Sequence, residues 1–142
     1  MKSSFLLLAA AALVVAGCAT QPQSGNAALM DRFKQADASG DGKVSRDEFV
    51  DFMVTESFAN YDKGKKGYVT LEEFTAGGGT PATYRQIDRD GNGRVTLADA
   101  KASKIVREQF AIPFDSADTS RSGYVTFDEF VAYRAAAAPY VR

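Results

Sequence analysis

Asp37, Ser39, Asp41, Ser45 and Glu48 put oxygen-bearing side chains at places one, three, five, nine and twelve of one short stretch, with Gly42 at place six. Oxygen donors at that spacing suit a hard divalent cation. Calcium takes roughly six to eight oxygens at about 2.3–2.6 Å. A segment this short supplies them only by wrapping around the ion. Gly42 permits the sharp turn, because a residue without Cβ reaches positive φ at no steric cost.

The stretch recurs three times, at Asp62–Glu73, Asp88–Asp99 and Asp118–Glu129. Each copy has Asp at place one and Gly at place six (Gly42, Gly67, Gly93, Gly123). Each has Val at place eight (Val44, Val69, Val95, Val125) and a hydroxyl at place nine (Ser45, Thr70, Thr96, Thr126). In this register the stretches resemble the calcium loops of the EF-hand family, compact bacterial type, with calmodulin-like loops. The resemblance implies an all-α fold, an array of helix-loop-helix units with short loop strands, and calcium (Ca2+) as the ligand. It also implies that place seven gives a backbone carbonyl and place twelve closes the cage, with two oxygens where it is Glu.

On that basis the loops rank. Loop one (37–48) is fully equipped: Asp37, Ser39, Asp41, the Lys43 carbonyl, Ser45 and Glu48. The charge of Lys43 has no part in this reading. Loop three (88–99) offers Asp88, Asp90, Asn92, the Arg94 carbonyl, Thr96 and Asp99. Asp99 is one CH₂ shorter than Glu, which lowers coordination and lets magnesium (Mg2+) compete, since magnesium prefers six-fold geometry at about 2.0–2.1 Å. Loop four (118–129) has Asp118, Ser120, Ser122, the Tyr124 carbonyl, Thr126 and Glu129, with only two carboxylates. Loop two (62–73) reads as a structural loop, because Gly64 leaves place three bare and Lys66 puts an ammonium at place five.

A competing reading of places nine to twelve is a capping box. Ser45 with Glu48, Thr70 with Glu73 and Thr126 with Glu129 would each start a helix, metal or none. The two readings are compatible, because such a loop ends as its outgoing helix begins. Asp at place one and Gly at place six, repeated in register, decide for the ion loop.

Helices must hold these loops. An aromatic precedes each by four residues (Phe33, Phe58, Tyr84, Phe114), and Phe49, Phe74 and Phe130 follow three of them. These face inward as core, and the β-branched valines suit short paired strands. A helix is expected over 27–36, with Asn26 as N-cap. Only Phe49 to Tyr61 separate Glu48 from Asp62, so one helix serves both loops at about 1.5 Å per residue. That puts loops one and two at opposite ends of it and argues against their pairing. Gly77–Gly79 breaks the chain, and Thr80-Pro81 restarts it as N-cap and N1. A longer helix is expected after Asp99, to about Ala111 and broken near Pro113. The last runs from about Phe127 to Ala138, ahead of Pro139.

The chain has 142 residues, a net charge of −1, no histidine and one cysteine. The balanced charge gives no footprint for nucleic acid. The absence of histidine removes His-based acid–base chemistry and most catalytic zinc sites. One cysteine makes no internal disulfide and no Cys-cluster metal site. The orderly carboxylates all lie in the loops, so no enzyme activity is expected.

Lys2 and the apolar run Phe5–Ala16, which ends in Val15-Ala16-Gly17-Cys18, read as a targeting segment outside the fold. The run is too short to span a membrane. It resembles the lipobox of bacterial lipoprotein signal peptides. The resemblance implies a signal over 1–17, cleavage before Cys18 and lipid on that cysteine. Membrane attachment then comes from acyl chains, each CH₂ adding about 0.8 kcal/mol. An ordinary secretory signal is the competing reading. Ala19 after the cysteine points to the outer membrane, facing the periplasm. Residues 18–26 then form the lipidated start and a flexible tether, and 27–142 the EF-hand domain. The expected function is calcium binding by a lipid-anchored protein of the bacterial cell envelope, as sensor or buffer, with an unidentified envelope protein as a possible partner. The alternative is an envelope scaffold or adhesion module whose loops are only structural.

Overall fold

The stretch from Ser45 to Tyr61 builds the centre of the molecule from local chemistry. The Ser45 hydroxyl accepts the Glu48 amide, and the Glu48 carboxylate accepts the Ser45 amide. Two donors that a helix start leaves unpaired are thereby satisfied. The helix then runs unbroken from Arg46 to Tyr61, the one helix expected between loops one and two.

The computed structural model describes residues 24–137. The elements are α1 (Ser24–Ala36), β1 (Val44–Ser45), α2 (Arg46–Tyr61), β2 (Tyr68–Val69), α3 (Leu71–Ala76) and α4 (Pro81–Ile87). They continue as β3 (Val95–Thr96), α5 (Leu97–Ala102), α6 (Lys104–Gln109), α7 (Ala111–Ala117), β4 (Tyr124–Val125) and α8 (Phe127–Ala137). The fold is all-α, with a two-residue strand at the end of each loop.

β1 pairs antiparallel with β4, Val44 opposite Val125. β2 pairs with β3, Val69 opposite Val95. Loop one therefore joins loop four, and loop two joins loop three. All four valines are buried. A two-residue ladder is too short to stand on its own, so each pair depends on the core beneath it.

Two cores divide the molecule into lobes. The first gathers Phe33, Val44, Phe49, Phe52, Phe114, Val125 and Phe130. The second gathers Val50, Val54, Val69, Tyr84, Ile87 and Val95, with Phe58, Tyr61 and Phe74 packed against it. α2 feeds both. Phe49 and Phe52 enter the first core, while Val50 and Val54 enter the second. It is apolar on two faces because it lies between two layers, where a surface helix would show one stripe. Phe49 meets Phe114 edge-on with centroids 5.6 Å apart, and Phe33 meets Phe130 in the same way. Such pairs add about 0.5–1.5 kcal/mol beyond the area they bury.

The observed elements correct the sequence reading in two places. α1 begins at Ser24, so Asn26 lies inside the helix and is not its cap, and the tether does not extend to residue 26. The segment between Asp99 and Asp118 is three short helices, α5, α6 and α7, and not one longer helix. The breaks fall at Ser103 and Phe110. Pro113 breaks nothing: it sits in the first turn of α7, where its missing N–H forfeits no intrahelical bond. Thr80 caps α4 with Pro81 at its start, as expected. Cys18, the signal peptide and the end of the last helix at Ala138 lie outside the described residues.

Candidate metal centres

Each loop is strung on the same set of hydrogen bonds. The place-six amide donates to Oδ2 of the place-one Asp: Gly42 to Asp37 at 2.9 Å, Gly67 to Asp62 at 2.7 Å, Gly93 to Asp88 at 3.0 Å and Gly123 to Asp118 at 2.8 Å. The place-five amide donates to Oδ1 of the same residue, from Asp41, Lys66, Asn92 and Ser122. These contacts orient the first carboxylate and leave it lone pairs for a cation.

The residue at place twelve separates the loops. Glu48 accepts from the Ser45 amide with Oε2 (2.9 Å) and from the Ser39 amide with Oε1 (2.8 Å). Glu129 does the same with Thr126 and Ser120, at 2.9 Å each. In loops one and four the carboxylate thus spans the ring from place nine to place three. Asp99 reaches Thr96, whose amide it accepts at 2.9 Å and whose hydroxyl at 2.6 Å, and among the described contacts no amide at place three. The missing CH₂ is visible as a missing contact. Thr96 and Asp99 also form a capping box, a fourth that the sequence reading did not name.

Within loop one Ser39 Oγ donates to Asp37 Oδ1 at 3.2 Å, and Asp41 Oδ1 accepts the Lys43 amide. In loop three Asn92 bridges Asp90, through Nδ2 at 2.7 Å, and the Arg94 amide. In loop four Ser120 and Ser122 both reach Asp118 Oδ1, and Ser122 Oγ donates to the Tyr124 carbonyl at 2.9 Å. The structure therefore brings together Asp118, Ser120, Ser122, Tyr124 and Glu129, as it does Asp37, Ser39, Asp41 and Glu48. Among the described residues no three acidic side chains gather into a metal cluster by themselves. The donors are carboxylates spaced by hydroxyls, amides and carbonyls, an oxygen set that fits a flexible calcium cage.

These bonds hold the closing carboxylates in their charged form. For Glu129 the Thr126 amide and, beyond it, Ser120 outweigh the cost of burial and bring the carboxyl down to about 2. For Glu48, burial pushes up, but the bonds from Ser45 and Ser39 prevail and the shift is downward. The Thr96 hydroxyl lowers Asp99. A carboxylate must be deprotonated to bind metal, and the downward shifts favour that form.

Loop two departs from the pattern as expected. Lys66 Nζ lies 2.5 Å from Glu73 Oε1 and 3.4 Å from Asp62 Oδ1. Its donor set does not fit a divalent ion.

Two features escaped the sequence reading. Place four is left-handed in every loop: Gly40 (φ 73°) and Gly91 (φ 68°), but also Lys65 (φ 51°) and Arg121 (φ 57°). Place seven carries a cation in loops one and three and a tyrosine in their partners. Lys43 Nζ sits 5.3 Å from the Tyr124 ring centroid, and the Arg94 guanidinium 4.8 Å from that of Tyr68. The alternation Lys43, Tyr68, Arg94, Tyr124 was the available signal. It gives the charge of Lys43 a role after all.

The family model described as EF hand matches residues 29–53 and 112–132. Those segments hold loops one and four, the pair joined by β1 and β4. Polcalcin Cup a 4 of Hesperocyparis arizonica is 29% identical over 126 residues, which cover 72% of this chain and 76% of that protein.

Proposed function

We propose that this EF-hand protein binds calcium in loops one, three and four while tethered by lipid on Cys18 to a bacterial envelope membrane. The observation that carries the ion reading is the closing carboxylate of loops one and four, held by two amides across the ring. Asp37, Ser39, Asp41, the Lys43 carbonyl and Glu48 would hold the ion in loop one. Asp118, Ser120, Ser122, the Tyr124 carbonyl and Glu129 would hold it in loop four, where two carboxylates make binding weaker. Asp88, Asp90, Asn92, the Arg94 carbonyl and Asp99 would hold it in loop three, with magnesium as a competitor. The ion supplies charge neutralisation to acidic loops and so stabilises the fold. Affinities of about 10⁻⁴–10⁻³ M suffice for an extracellular module.

With no histidine in the chain and the ordered carboxylates assigned to loops, we read it as a binding protein and not an enzyme. Met30 and Met53 are the methionines of the described residues, both packed against the first core. A promiscuous Met-rich groove is thus disfavoured, and a buffering role stands level with a sensing one.

Calorimetric titration with calcium and with magnesium tests the ion reading: two or three calcium sites are expected, and zero sinks it. An apolar dye added during the titration gains signal for a sensor and not for a buffer. The anchor is tested separately. Cys18→Ala should release the chain from the membrane fraction, and retention would refute the lipid assignment.

A further inference from the structure

Loop two has lost two ligands, and the structure relates the losses. A Cβ on Gly64 would lie 3.2 Å from Lys66 Cγ and 3.3 Å from its Nζ. The lysine therefore folds back over place three, and the bare glycine is what leaves it room. Its ammonium reaches Glu73 Oε1 and Asp62 Oδ1, the closing and opening carboxylates of the ring. Asp62 is only 5% exposed, and the Lys66 and Glu73 side chains are 32% and 25% exposed. The rest of the loop keeps the geometry of its siblings. The Gly67 and Lys66 amides hold Asp62, and the Thr70 amide holds Glu73.

We propose that Lys66 is the resident cation of loop two: its ammonium stands where the other loops take a divalent ion and keeps this loop closed without metal. The inference deepens the calcium reading by assigning one loop out of it. Directions of charge agree with the geometry. Lys66 is raised, chiefly by its bond to Glu73, and Glu73 is lowered by the same bond. Loop three then presents β3 to a partner strand already set by loop two. In the pair formed by loops one and four no lysine takes that place, and the closing carboxylates are held by backbone amides and hydroxyls instead.

The test uses the full chain in chelator and in calcium. Lys66→Met should lower the thermal midpoint in chelator by about 4 °C or more, a resolvable shift for a domain of this size. A midpoint within about 1 °C of the parent would overturn the proposal by making the contact an ordinary surface ion pair. The double variant Gly64→Asp/Lys66→Asp returns oxygens to places three and five. It should bind one more calcium per chain than the parent, and an equal stoichiometry would overturn the proposal even if Lys66→Met fails to fold. Zero calcium sites in the parent would refute the calcium reading instead. The midpoint in chelator would then still decide whether Lys66 holds its loop closed.

Discussion

Val44 and Val125 face each other across the antiparallel joint between loops one and four, and neither has any exposed surface. The two loops are far apart in sequence, yet their place-eight side chains share one core with Phe33, Phe49 and Phe130. Val125→Ala removes two methyl-sized groups from that joint. It should cost about 2 kcal/mol, and it should weaken calcium binding at loop one as well as loop four. Urea unfolding and calorimetry on the same variant check both. A loss of affinity confined to loop four would mean the joint does not couple them.

Glu48→Gln keeps the shape of the closing side chain and removes its charge. Calcium stoichiometry should fall by one, or the affinity of one site by about tenfold or more, since ligand charge sets affinity in such loops. Helical circular dichroism should persist, because the amide oxygen still accepts from Ser45. Unchanged calcium binding would take Glu48 out of the ligand set.

Asp99→Glu restores the reach that Glu48 and Glu129 have and Asp99 lacks. Loop three should then shift its preference from magnesium towards calcium by about tenfold, as an added bidentate oxygen favours the larger ion. Competition titrations measure the ratio. A preference left where it was would show that reach at place twelve does not set the ion.

Arg121 holds φ at 57°, a conformation glycine adopts at the same place in loops one and three. Left-handed backbone costs a non-glycine residue roughly 1–2 kcal/mol, and glycine loses about 0.5–1 kcal/mol in chain entropy. Arg121→Gly should therefore stabilise the metal-free protein by about 0.5–1 kcal/mol. Urea midpoints decide, and a destabilised variant would mean the arginine side chain contributes more than the strain.

Acid should find loop four late. Glu129 is brought down to about 2 by the Thr126 and Ser120 bonds, from an ordinary value of 4.5. A depressed carboxyl contributes stability that is fully present above the unfolded value. That contribution fades as pH falls from about 4.5 and is gone below about 2. In chelator, stability followed from pH 6 to pH 2 should drop across that window, and Glu129→Gln should flatten its share of the drop. A variant as acid-sensitive as the parent would place the titration elsewhere.

Much of this was legible because the signals are local. Asp at place one, Gly at place six and Ser or Thr at place nine act within one loop, so sequence spacing alone reports them. Thr80-Pro81 and the single helix between Glu48 and Asp62 are of the same kind. The joining of loop one with four, and of two with three, is not local. It depends on which core Phe49, Phe52, Val50 and Val54 enter, and a helix apolar on two faces does not say. By ligand count loop three is the counterpart of loop one, whereas the structure seats loop four against it. Helix ends were read least well. Ser24 starts α1 early, and Ser103 and Phe110 divide what periodicity ran together. The stacking of Lys43 on Tyr124 is hidden for the same reason as the loop pairing: the two side chains meet only once β1 and β4 have joined.

α2 carries one more consequence. Its first turn closes loop one through Glu48, its last turn opens loop two at Asp62, and Arg107 grips its flank at Asp47 and Asp51, each at 2.6 Å. It therefore works as an axle common to both lobes. The outgoing end of loop one and the incoming end of loop two are thus the two ends of one helix. At the far end Lys66 meets Asp62 and Glu73. The two ends of one rigid helix therefore belong to different lobes, one facing the carboxylates of loop one and the other facing the ammonium of Lys66.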